Sequence, residues 1–139
     1  MLAISLRKSE EINVARLTYV LAAVFALIGP ALFLRTINLT EWGMLPAELG
    51  FALWFVSPFI LVALAVRSEK FSSIGALIAT TLAGLFGAWF YAELTFHFTT
   101  KSDAQDAIAM LFVAAYQHAI IVLTLGLSLI VGWLQARQK

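Results

Sequence analysis

The chain has 139 residues, of which 62% are hydrophobic and 12% charged, about half the charged share usual in a soluble domain. A formal net charge of +1 leaves no basic field for nucleic acid, and the lack of cysteine excludes disulfides and thiolate chemistry. There is no phosphate-binding glycine loop, no G-x-S-x-G and no H-E-x-x-H, so neither an enzyme nor a cofactor is expected.

Four blocks, 17–34, 49–66, 71–92 and 107–136, contain no Asp, Glu, Lys or Arg, and the shortest has 18 residues. That length is what a membrane-spanning helix requires. The prediction is an all-α membrane protein, a four-transmembrane-helix bundle in one domain, with spans over about 12–35, 46–66, 72–97 and 103–135. The first apolar run is longer than the roughly 7–15 residues of a signal peptide and no clear small-residue cleavage motif follows it, so it reads as a retained helix.

Span 1 is expected to start near Ser9, an N-cap residue followed by Glu10 and Glu11 in a first turn that favours negative charge. Gly29–Pro30 predicts a kink near its other end. In the connection to span 2, Leu39, Trp42, Met44 and Leu45 suggest a segment lying on the membrane surface. Pro46 suits the first position of helix 2. Pro58 falls in mid-span, and the carbonyl it frees needs Ser57 or a neighbouring helix as donor.

Ser72 or Ser73 caps span 3, which carries the clearest packing pattern in the chain. Gly75, Ala79, Ala83 and Gly87 recur at four-residue steps, beside a second row of Ala76, Thr80, Gly84 and Ala88. In lipid, such small faces let helices approach closely. The face serves either the chain's own bundle or an interface with another chain. Leu82, Leu85 and Trp89 lie opposite. Toward the end of the span, Glu93 and His97 are four residues apart on one face.

The S-x-x-Q pattern of Ser102 to Gln105 is a capping box that starts span 4 near Asp103. Its uncharged stretch of 30 residues would cover about 45 Å, against about 30 Å of hydrocarbon, so the helix tilts or projects. Gln117, Thr124 and Ser128 form a polar seam along it. The two hydroxyls either cross to a neighbour or bond back to their own helix. The Gln117 amide cannot turn back on its own helix and needs a partner elsewhere. His118 lies beside it.

Seven basic residues, Arg7, Lys8, Arg16, Arg67, Lys70, Arg137 and Lys139, fall on one side of the predicted spans and only Arg35 and Lys101 on the other. The positive-inside rule then places both termini in the cytoplasm, and Trp133 and Tyr19 at the inner interface. Low charge and the lack of cysteine fit a bacterial inner membrane.

Intramembrane ionisable groups are candidates for function by default. Glu93, His97, Gln117 and His118 are therefore the candidate polar or ion site, and Gly75, Ala79, Ala83, Gly84 and Gly87 the candidate packing face. A metal or haem is not expected, because the two histidines sit at different depths and too few other ligands accompany them. The composition favours a non-enzymatic protein that works by helix–helix association in the bilayer, as an accessory, regulatory or immunity-type subunit bound to another membrane protein or to itself. The alternative is an oligomeric small-ion or proton channel or transporter with Glu93 and His118 near its pathway.

Overall fold

The computed structural model describes the backbone of residues 2–36, 45–68, 70–97 and 104–138, and side chains over 9–32, 49–68, 70–96 and 108–138. Among the described residues the fold is all-helical: α1 (Leu2–Thr36), α2 (Leu45–Arg67), α3 (Ser73–His97) and α4 (Ala104–Arg137). All four helices are long and apolar enough to cross a membrane.

The helix ends follow local chemistry with one correction. Helix α1 begins at Leu2, so Ser9 lies inside it and does not cap it. The stretch Leu2–Lys8 has no Gly or Pro to stop a helix, and Ser9 alone does not break it. Helix α2 opens with Pro46 in its first turn and continues through Pro58, as α1 continues through Pro30. Ser72 caps α3: its hydroxyl accepts from the Gly75 N–H at 2.9 Å, satisfying one of the orphan donors of the first turn. At the end of α2, Ser68 closes the last turn with its N–H on Leu64 and its hydroxyl on the Ala65 carbonyl. The expected surface segment at Leu39–Met44 and the Ser102–Asp103 part of the capping box lie outside the described residues.

Helix α3 stands at the centre. It packs along α1 and α4 and more lightly on α2, while α2 packs on α1 and α4, and α1 and α4 make no contact in the described residues. Register is readable from the close approaches. Gly29 of α1 lies against Phe55 of α2 and Tyr91 of α3, and Gly84 of α3 against Phe25 of α1. Gly75 and Gly87 of α3 meet Ser128 and Gln117 of α4. So α1 and α3 run parallel, and α4 runs antiparallel to α3. Both chain termini and the α2–α3 connection share one end of the bundle, called here the termini end.

Burial follows the small-residue pattern. Ala76, Ala79, Thr80 and Ala83 are fully buried, Gly75, Gly84 and Gly87 are buried too, and Leu82, Leu85 and Trp89 are exposed. The smooth face of α3 is thus covered by the chain's own helices α1 and α4. Two apolar clusters fill the interior. One, toward the termini end, joins Val62 and Ala65 to Ala76, Ala79, Ala83, Ile121 and Leu125. The other, toward the far end, joins Phe55 and Tyr91 to Met110, Val113 and Ala114. Large apolar side chains face outward on every helix, the arrangement a lipid solvent permits.

A Cβ at Gly84 would fall within the ring of Phe25, which itself stacks 6.2 Å from Phe59. Gly84→Ala is therefore expected to cost about 1–3 kcal/mol by overpacking, measured by unfolding in detergent. Gly50→Ala, where a Cβ meets nothing within 4 Å, should cost nothing.

Candidate functional site

Two polar sites lie on adjacent residues of α4 that point to different neighbours, one buried and one partly exposed. Gln117 is 2% exposed and faces α3. Its Nε2 donates to the Ala83 carbonyl at 3.0 Å, and its Oε1 accepts from the Tyr91 hydroxyl at 3.3 Å. Both ends of the amide are engaged, the condition for burying it in an apolar medium. The space comes from Gly87, where any Cβ would collide with the amide nitrogen. Glycine is required here for the close approach, not for its backbone angles. Tyr91 extends the arrangement: its ring meets Phe55 edge-on at 5.4 Å, and it lies 3.1 Å from where a Cβ at Gly29 would stand. One tyrosine thereby touches all three other helices.

The hydroxyls do not cross between helices at this seam. Thr124 donates to Ile120 O and Ser128 to Leu125 O, and Thr18, Thr80 and Thr95 likewise donate to carbonyls four residues back. These bonds satisfy the hydroxyls without linking the helices.

His118, one residue on, faces α2. Its Nδ1 lies 2.8 Å from the Ala114 carbonyl and its Nε2 lies 3.1 Å from Ser57 Oγ. The Trp54 indole stacks on the imidazole, with centroids 4.9 Å apart and planes inclined by 25°. It is held there by Nε1–H donating to the Leu111 carbonyl at 3.1 Å. Ser57 in turn donates to the Trp54 carbonyl at 2.7 Å. That carbonyl is the one Pro58 frees, because proline at position 58 has no N–H to return to residue 54. The break in α2 is thus repaired by Ser57, and the repaired turn faces His118.

The predicted grouping of Glu93, His97, Gln117 and His118 separates into parts. Gln117 and His118 have the partners just described. Both His118 nitrogens are occupied, which leaves none for Glu93. Since Gly87 is level with Gln117 and Gly75 with Ser128, residue 86 is level with His118, and Glu93 lies about 10 Å nearer the far end. Glu93 is exposed, and the side chain of His97 lies outside the described residues. No three His, Asp or Glu side chains converge among the described residues. Sequence reasoning missed Trp54 and Tyr91 as partners. Pro58 was the signal that could have drawn attention to the α2 side.

A separate feature opens at the termini end, where α1 and α4 diverge over the start of α3. Here lies an open cleft of about 1300 Å³, with Glu10, Lys70 and Gln135 at its rim and Ile78, Val131 and Trp133 among its apolar walls. Gly132 also lines it, and a Cβ there meets nothing within 4 Å. Helix α4 continues past this point with every residue from Leu129 to Gln138 exposed. The Arg137 guanidinium sits 3.6 Å over the Trp133 ring.

No protein-family model, curated protein or solved structure matches the chain, so function rests on this geometry.

Gly87→Ala should destabilise the bundle by about 1–3 kcal/mol, because it expels the Gln117 amide from its seat. In a Gln117→Ala background the same change should be close to neutral. Equilibrium unfolding of the four proteins of this double-mutant cycle measures the coupling.

Proposed function

We propose that this chain is a non-enzymatic integral membrane protein of a bacterial inner membrane, with both termini in the cytoplasm. It acts by helix–helix association, as an accessory, regulatory or immunity-type subunit for another membrane protein. The observation that carries the reading is the cleft between α1 and α4, with the uncovered end of α4 beside it. The internal small residues and the Gln117 amide are engaged in holding the chain's own helices, so the association surface has to be elsewhere. The cleft has the size and lining for a partner's helix: apolar walls, Gly132 for close approach, and a polar rim where a helix would leave the hydrocarbon.

The orientation is supported by the seven basic residues that the spans place at the termini end. The conducting alternative has less support. Glu93 and His118 are at different levels and face different neighbours, and a path would have to be built by several copies.

Native mass spectrometry of the protein released from its own membrane tests the reading. The expected result is a stoichiometric second membrane protein, lost on Gly132→Leu with affinity falling about tenfold or more. The fold should survive that change, since position 132 is open. A lone monomer, or a homo-oligomer without another mass, would overturn the accessory reading, and the homo-oligomer would favour the channel.

A further inference from the structure

The hydrogen-bond chain through His118 has a proton count that no neutral imidazole can satisfy. The Ala114 carbonyl only accepts, so the 2.8 Å contact requires a proton on Nδ1. The Trp54 carbonyl also only accepts, so the single Ser57 hydroxyl proton is committed to the 2.7 Å contact. Ser57 Oγ then has only lone pairs to offer Nε2 at 3.1 Å, and that contact requires a proton on Nε2 as well. All three bonds exist together only in the doubly protonated ring. Removing either ring proton breaks one contact or forces Ser57 to turn its hydrogen from the Trp54 carbonyl to Nε2. The second choice strips the carbonyl that Pro58 had already left without its helical donor.

We infer that His118 is a proton-binding switch that ties α4 to the proline break of α2. With the proton bound, the imidazolium donates to both helices and lies under the indole face of Trp54, a cation–π arrangement. The 2.8 Å contact with the Ala114 carbonyl keeps the remaining proton on Nδ1, so when the Nε2 proton is gone Ser57 has one hydrogen for two acceptors, and the link between Trp54, Ser57 and His118 loosens. The switch sits at a thin seam, because α2 packs on α4 less extensively than on α1.

Among the described residues no other titratable side chain reaches it. Helix α2 has no Asp, Glu, Lys, Arg or His between Leu49 and Val66, and α4 has no other charged residue from Ala107 to Ala136. On α3 the nearest candidates are Tyr91, engaged with Gln117, and Glu93, about 10 Å along the axis. Among the described residues α1 does not pack on α4. Tyr116, next but one in sequence, turns to Phe86 at 6.1 Å and is exposed. The inference concerns α2 and α4 alone and does not depend on what occupies the cleft.

The test is NMR of the full chain in lipid nanodiscs, with labelled histidine rings and a labelled Trp54 carbonyl carbon. His97→Gln assigns the His118 signals. The expected result is that the Trp54 carbonyl resonance moves together with the protonation step of the His118 ring, at one shared midpoint. In Ser57→Ala the ring should still titrate while the carbonyl stays fixed. Ser57→Thr keeps a hydroxyl and should keep the coupling. A ring that holds one protonation state from about pH 4 to pH 9, or a wild-type carbonyl indifferent to the ring's titration, overturns the inference, and both are read on the unsubstituted protein.

Discussion

An amide in hydrocarbon has no water to turn to, and the arrangement of α3 and α4 follows from that constraint. Gln117 must find a donor and an acceptor inside the bundle, and it reaches both only if α3 has a notch at its level. Gly87 is the notch, the Ala83 carbonyl one partner and the Tyr91 hydroxyl the other. Once these are in register, the spacing of small residues brings Gly75 against Ser128 eleven residues away along α4. The same tyrosine that completes the amide's bonding also rests on α1 and α2. Satisfying one polar group thus sets the relative height of all four helices.

Among the described residues, the polar contacts that cross between helices do different work. Most hydroxyls are satisfied within their own helix, which leaves the interfaces to smooth surfaces and aromatic edges. Van der Waals packing between small residues is the main attraction available when the solvent is as apolar as the side chains. The crossing bonds of Gln117 select a register. Those of His118 and Trp54 join α2 to α4 where apolar contact is sparse. The difference in chemistry is plain: an amide keeps its protons at any ordinary pH, and an imidazole does not.

Much of the architecture could be read from the residues. Charge-free blocks of sufficient length predict four helices, and the smooth rows from Gly75 to Ala88 mark a face of α3 made for close packing without saying which helices cover it. Pro58 followed Ser57 closely enough to suggest how the freed carbonyl is satisfied, and that is the bond formed. The pairing of sites across helices was not legible. Which residue faces Gln117 or His118 depends on how each helix is rotated and raised, and a one-dimensional pattern carries no term for either. Ionisable character alone joins Glu93 and His118 as candidates in the sequence, while the side-chain partners of His118 belong to α2. The start of α1 was misplaced for a simpler reason: Ser9 favours a cap only where something else ends the helix before it.

The lack of contact between α1 and α4 also bears on how the bundle is built. A chain made from its N-terminus presents α1 first, and α2 can pack against it at once. Helix α3 then finds both α1, its parallel partner, and the aromatic surface of Phe25 and Phe55 already in position. Helix α4 comes last and needs only α3 and α2, each of which is present by then. From α2 onward, each helix finds at least one packing partner already made. The notch at Gly87 remains open until α4 arrives, and Gln117, entering at the end, closes the assembly.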